Sequence, residues 1–286
     1  MTHIIIGIDI SKDHLDCHRL PERVVFEPTG AYHRKLERSL AEAGIACAKI
    51  NPRQARRFAE ATGTLAKTDR VDAIMLARFG AVLNPATTAP RSQTLETLGE
   101  LVVARRALVK DRTAAKNRQH TVSSALLKRQ ANRRLKQIDA DIDAIDAECR
   151  KLVETDQNLQ SRFAILISIP GIGEVTVMNM LAEMPELGTM NKRQAALLAG
   201  LAPITRRSGK WIGKSFIQGG RKAVRQALYM PALVAVRFNA ELKSKYQALT
   251  EAGKPHKVAI TAIMRKLITI ANALIRDQRK WAEINP

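Results

Sequence analysis

The sequence predicts an α/β unit followed by an almost wholly helical remainder. Three β-branched runs alternate with helical patterns before residue 90, and strand signals cease beyond Leu95. Continuous apolar runs of this kind fit strands buried on both faces, as in a sheet covered by helices on either side.

The runs Ile4–Ile10, Val24–Glu27 and Ile45–Ile50 predict the strands, and Tyr32–Ala43, Pro52–Ala61 and Asp69–Leu83 carry helical spacing. Asn84–Pro90 has two prolines and no periodicity, so it reads as a linker closing a first domain over 1–90. A helical segment over 91–160 follows. In its second half Leu135, Ile138, Ile142, Ile145, Cys149 and Leu152 recur every three to four residues, the seam of a short coiled coil. Ahead of that seam the first half is loaded with cations, Arg129, Arg133 and Arg134 among them, with no acid between Asp111 and Asp139. A charge run on a helix is usually a solvated face; here the missing acids favour phosphate contact or self-assembly.

The third domain, 161–286, opens on Ser168-Ile169-Pro170-Gly171-Ile172-Gly173. Glycines between two apolar helices make either a tight turn or a helix-hairpin-helix-like motif, in which Gly171 and Gly173 would turn backbone N–H groups toward a phosphate. A polar, glycine-rich stretch follows, with Arg206, Arg207, Ser208, Gly209, Lys210, Lys214, Ser215 and Arg221, and Ala223–Arg279 reads as helix.

Four acids stand out. Asp9 lies near the end of the first strand run and Glu27 ends the second, cut off by Pro28 and Gly30. Asp69 and Asp72, three apart, share a helix face. Each has an ordinary explanation: helix cap, first-turn acid, turn residue or exposed strand end. Together they supply the oxygen donors of a two-ion magnesium site for phosphodiester chemistry.

Composition supports such a substrate. With 47 Lys+Arg against 27 Asp+Glu the chain carries a formal charge of +20 and a pI near 10.4. That implies a polyanionic partner, nucleic acid first. The chain has only 3 Tyr, 2 Trp and 6 Phe, which disfavours an aromatic stacking platform as the main recognition mode. No run approaches the ~20 continuous apolar residues of a membrane span. The apolar run at Ile4 is too short for a secretory leader. Cys17, Cys47 and Cys149 have neither metal nor disulfide spacing.

The chain resembles the DEDD transposases of bacterial insertion sequences, the group that includes Piv- and MooV-type and bridge-RNA-guided recombinases. The resemblance rests on nine short motifs in order: Gly7–Lys12, Phe26–Gly30, Lys67–Ala73, Ile169–Gly173, Gly200–Pro203, Arg207–Gly209, Gly219–Arg221, Ala227–Met230 and Met264–Leu267. It implies a RuvC-like (RNase H-type) first domain, a coiled coil, and a C-terminal transposase domain. Matched motif by motif, the Mg2+-binding tetrad falls on Asp9, Glu27, Asp69 and Asp72. The nucleophilic serine falls on Ser208, with Ser215 the competing hydroxyl. The resemblance further implies donor and target DNA, a structured guide RNA, dimers that assemble into tetramers on DNA, and a cytoplasmic, nucleoid-associated bacterial protein.

One departure stands out. Only 17 residues separate Asp9 from Glu27, where the resembled fold places two further strands and a helix. His14–Leu20 can form one antiparallel strand; a third strand and the helix cannot both fit. The expectation is a shortened catalytic domain with an open sheet edge. Two other readings stay open beside the recombinase: a RuvC-like nuclease or junction resolvase, and an inactive nucleic-acid-binding remnant.

Overall fold

The computed structural model describes residues 4–10, 15–19, 22–28, 30, 32–64, 66, 68–89, 91–209 and 211–282. Ser11, Lys12, His14, Leu20, Thr29, Lys67 and Lys210 lie outside them, as do the side chains of Asp9 and Arg207. The chain divides into two compact units, Met1–Arg91 and Ser92–Pro286.

The first unit is built from β1 (Ile4–Ile10), β2 (Leu15–Arg19), β3 (Glu22–Phe26), α1 (His33–Glu42), β4 (Cys47–Lys49), α2 (Pro52–Ala61) and α3 (Asp69–Leu83). Its sheet has the order β2-β1-β3-β4, with β2 antiparallel to β1 and the other pairs parallel. Ile8, Ile10, Val24, Phe26 and Cys47 pack with Leu40 of α1 on one face. Val25 and Ala48 pack with Ala55, Ala59, Met75, Leu76 and Phe79 of α2 and α3 on the other. Helices on both faces explain why the strands read as unbroken apolar runs.

Between β1 and β3 the described residues hold one strand, β2, and no helix. β2 returns to the amino end of β1, where Arg19 lies opposite Ile6, and β3 begins on the other side of β1 with Glu22 opposite Ile4. The shortened segment is thus spent on a single antiparallel edge strand. At the other edge Thr88 lines β4: its N–H donates to Cys47 O (2.8 Å), and Lys49 N–H donates to Thr88 Oγ1 (3.1 Å).

The second unit starts with a long helical hairpin, α4 (Gln93–His120) and α5 (Ala125–Thr155). The expected seam residues Ile138, Ile142 and Cys149 are buried, and Leu135, Ile145 and Leu152 half-buried. Burial pushes the Cys149 thiol up to about 11, as for an inert core cysteine. A ladder of polar pairs crosses the same hairpin. Arg105 holds Asp146 through two bonds (2.6 and 2.9 Å), Arg112 holds Asp139 (3.1 Å), and Gln119 bonds Asn132. Each step of seven up α4 meets a step of seven down α5, so one antiparallel register satisfies all three pairs.

Then follow α6 (Gln157–Ile167), α7 (Glu174–Glu183), α8 (Lys192–Leu198), four two-residue strands β5 (Pro203–Ile204), β6 (Arg207–Ser208), β7 (Trp211–Ile212) and β8 (Phe216–Ile217), and α9 (Lys222–Ala227), α10 (Tyr229–Phe238), α11 (Ala240–Glu251) and α12 (His256–Arg276). α12 is long and apolar enough by length and composition to cross a membrane, yet more than half of its apolar window is buried within the protein. Ile263, Leu267, Ile268 and Ala271 are fully buried in the main core of this unit, while Arg265 and Lys266 interrupt the apolar sequence. It is a core helix.

Two contacts orient α3. A Cβ on Gly7 would fall 2.0 Å from Ala73 O and 2.5 Å from Ala77 N, so the helix rests on β1 where no side chain exists. Arg23, near the start of β3, donates to Asn84 Oδ1 (2.9 Å) and Pro85 O (2.5 Å) just past the carboxyl end of α3. α3 therefore runs opposite to β1 and β3. Gly7→Ala should destabilise the protein by about 1–3 kcal/mol, the usual cost of overpacking, as a lower urea midpoint with the slope unchanged. A midpoint equal to wild type would mean that α3 does not sit on β1.

Candidate active site

Because α3 runs against the strands, its first turn points to their carboxyl ends. From Gly7 to Asp9 the strand advances about 6.6 Å. From the Ala73–Ala77 contact back to Asp72 and Asp69 the helix recedes about 4–9 Å. The register Ile8↔Phe26, carried one step further, sets Glu27 beside Asp9. All four acidic positions thus belong to one end of the sheet.

Their surroundings differ. Asp69 is exposed, Asp72 is half-buried, and Glu27 is half-buried with a polar partner. Thr68, not Asp69, caps α3, its Oγ1 accepting from Val71 N–H (3.3 Å). Asp69 is therefore not needed as the cap. Among the described residues no three His, Cys, Asp or Glu side chains close a metal-binding group; the Asp9 side chain lies outside them. The donor set is all carboxylate, the hard-oxygen chemistry that suits magnesium.

Ser208 belongs to the second unit. β6 pairs with β7, Ser208 opposite Trp211, and β5 pairs with β8 outside them. The segment 203–217 is thus a narrow two-stranded arm. Gly209 turns it with φ +54°, a left-handed conformation that glycine adopts at no steric cost. Ser208 is exposed next to that turn, and its hydroxyl bonds no described residue. Arg206 stacks on Phe216, its guanidinium carbon 4.8 Å from the ring centroid. Ser215 is exposed in the segment between β7 and β8.

Comparison with known proteins gives the family. A family model described as transposase, of the DEDD IS110 type, matches residues 18–129. A second, the transposase IS116/IS110/IS902 family, matches residues 163–247. The chain is 33% identical over 266 residues to the pilin gene-inverting protein of Moraxella lacunata, covering 90% of this chain and 81% of that protein. The Moraxella bovis counterpart matches to the same extent. An uncharacterised 42 kDa protein of insertion element IS900 from Mycobacterium paratuberculosis is 30% identical over 149 residues, 48% of this chain and 36% of that one.

The chain belongs to the IS110 family of DEDD transposases. It is a DNA transposase/recombinase enzyme, and the family implies a DNA substrate.

The transposase distributes the cations singled out in the sequence unevenly. Arg129, Arg133 and Arg134 are exposed on α5 without an ion pair to any described residue. Lys214 is exposed on the arm. Arg221 is engaged inside the fold: it forks onto Glu186 (2.6 and 2.7 Å) and donates to Glu183 O. Gly171 packs its Cα against the backbone of α10, with Pro231 O and Ala235 N each 3.0 Å from where a Cβ would be. Its glycine thus has a packing reason, whereas Gly173 is exposed at the start of α7.

The sequence reading missed a buried charge cluster at the carboxyl end of β4. Lys49 Nζ lies 2.6 Å from Glu37 Oε1, and His33 Nε2 lies 3.6 Å from Glu37 Oε2. Burial first, then the Lys49 charge, holds the His33 imidazole below its usual 6.5. The unfolded chain therefore binds the proton more readily, and this site loses stability as pH falls through 6.5. Melting should drop more between pH 7.5 and 5.5 in wild type than in His33→Gln; equal drops would remove His33 as the cause.

Proposed function

We propose that this transposase cuts and rejoins DNA with a carboxylate-held magnesium site in a RuvC-like unit and a serine nucleophile on the arm. The observation that carries the proposal is the antiparallel course of α3, which gives Asp69 and Asp72 the same end of the sheet as Asp9 and Glu27. The strand order β2-β1-β3-β4, with only β2 antiparallel, supports the RuvC-like assignment. Asp9, Glu27, Asp69 and Asp72 would hold the ions. Bound there, magnesium supplies polarisation of the phosphoryl oxygens and charge stabilisation as the phosphorane forms.

Ser208 Oγ forms a bond to phosphorus while the bond from phosphorus to one sugar oxygen breaks. The proton lost by the serine is matched by one gained at the leaving oxygen. Arg206, Arg207 and Lys210, its neighbours in sequence, would hold the phosphate, and Gly209 lets the backbone approach it. The exposed cations of α5 and Lys214 contact phosphates without reading sequence. Sequence choice passes to a structured guide RNA, which base-pairs and leaves little code in the protein. The working form is a dimer that assembles into a tetramer on DNA, with hairpin arms able to bring Ser208 of one subunit to the acids of another.

Asp9→Asn or Asp72→Asn should cut strand cleavage on the order of 10²-fold or more while DNA affinity is retained. Ser208→Ala should abolish covalent protein–DNA adducts on denaturing gels, Ser215→Ala having the milder effect. Adducts persisting in Ser208→Ala would move the nucleophile elsewhere, Ser215 first. Mixing Ser208→Ala with Asp9→Asn subunits should restore part of the activity if the site is shared.

Binding to nucleic acid should also weaken steeply with salt through counterion release. Charge reversal at Arg129, Arg133 and Arg134 should lower affinity alike for unrelated sequences. An affinity flat from low to high salt would contradict the nucleic-acid role of the +20 charge.

A further inference from the structure

The second unit contains a cleft of about 480 Å³ that neither the tetrad nor Ser208 uses. Five cations line it: Lys192 and Arg193 from α8, Lys245 from α11, and Arg265 and Lys266 from α12. Apart from Thr269, its other walls are apolar, with Ala196, Ala202, Pro203 and Ala262 beside Leu197, a leucine left 56% exposed. Lys266 is balanced by Glu241 at 3.1 Å. Lys192, Arg193, Lys245 and Arg265 have no carboxylate partner among the described residues, in contrast to Arg105, Arg112 and Arg221, which are paired within the fold. The first amides of α8 are occupied by the Asn191 side chain, so the attraction comes from the cationic side chains themselves.

Four like charges around one concavity repel one another unless an anion occupies it. The volume falls within the range of small-ligand sites. It is too small for a duplex, whose bases are stacked away from such a floor. A single nucleotide fits both halves of the chemistry: its phosphate against the cationic rim, its base on the apolar floor. Position adds to this. Pro203, on the cleft wall, is also the first residue of β5, so the cleft lies at the root of the arm that carries Ser208 about 17 Å further along the strand at its usual rise.

Resting on the nucleic-acid reading above, we infer that this cleft grips one unpaired nucleotide of a nucleic-acid strand, a few nucleotides from the phosphate presented to Ser208. The recognised chemistry is a phosphodiester with an accessible base. An unpaired DNA strand at the cut site and a single-stranded stretch of RNA both offer it.

The test uses full-length protein with fluorescent oligonucleotides of equal length: single-stranded DNA, single-stranded RNA and duplex DNA. Arg193→Ala with Lys245→Ala removes two exposed cations. Affinity for a single strand should fall roughly tenfold, and its log–log salt slope should shrink by about 0.7, the share of one lost phosphate contact. Duplex affinity should change less than about twofold. Whichever single strand shows the larger loss identifies the occupant. Lys245→Ala alone, in an exposed helix position where alanine is favoured, should show a smaller loss of the same kind and keep the wild-type melting temperature. Adenosine monophosphate should compete for the single strand better than inorganic phosphate.

Equal losses on single strand and duplex would overturn the inference, since they would mark a general charge effect. An unchanged single-strand affinity would overturn it too. Competition by inorganic phosphate as effective as by the nucleotide would remove the base from the floor. Charge reversal at Arg129, Arg133 and Arg134 in the same assay tests the wider reading separately. If that reversal left duplex binding intact while the cleft variant lost single strands, the role of α5 would fall and the cleft would stand.

Discussion

The candidate active site depends on an absent side chain. α3 lies against β1 at Gly7, where even one methyl group would overlap the helix backbone. That contact fixes the height of α3 over the sheet, and the tie from Arg23 to Asn84 and Pro85 fixes its direction. With both set, the first turn of the helix can only lie near the ends of β1 and β3. The placement of Asp69 and Asp72 is thus a consequence of the Gly7 contact just after them and the tie at the opposite end of the helix. It also explains how the unit tolerates its short β1–β3 segment: neither anchor involves the residues between Asp9 and Glu27 apart from Arg23 itself.

The helical hairpin solves a different problem. Apolar seams slide easily, because a shift of one heptad buries nearly the same surface. The pairs Arg105–Asp146, Arg112–Asp139 and Gln119–Asn132 remove that freedom. A slip by one heptad would leave the outermost pair without its partner and expose the buried ends of the seam. Half-buried ion pairs add little net stability; their attested use is to fix register. Arg106 and Arg150 extend the same principle outward, binding Glu183 and Glu174 of α7 to the hairpin.

How much of this was legible follows from the length of each signal. β1, α2 and α3 occupy the spans their sequences suggest, because each has several apolar residues at one period. β2 was legible from spacing, since His14–Leu20 suffices for one antiparallel strand while a third strand and a helix cannot both fit between Asp9 and Glu27. The strands of the arm escaped because two residues carry no period. The ordinary reading of Asp69 as the cap of α3 gives way to Thr68: both residue types make good caps, and only geometry separates them. The charge cluster at Glu37 escaped because Lys49 lies twelve residues beyond Glu37 in sequence and on a different element, β4, so the two meet only in the folded unit. The polar ladder could have been seen: Arg105, Arg112 and Gln119, and Asn132, Asp139 and Asp146, each repeat every seven residues.

The net charge of +20 also looks different once the fold is known. A raw excess of Lys and Arg suggests a uniformly basic surface, yet many of these side chains work inside the protein. Arg23 fastens α3, Arg105 and Arg112 set the hairpin register, Arg162 donates to Pro185 O and Leu187 O, and Arg221 ties β8's downstream turn to Glu186. Burial pulls Arg162 below its ordinary value, the mark of a guanidinium kept from water rather than offered to a ligand. What is left for a partner includes the exposed cations of α5 and the arm and those lining the cleft between α8, α11 and α12. A cluster of such charges around one concavity steers a polyanion to that place and not merely to the protein. For an enzyme that must hold DNA strands while breaking them, the useful quantity is therefore the set of cations the fold leaves unspent.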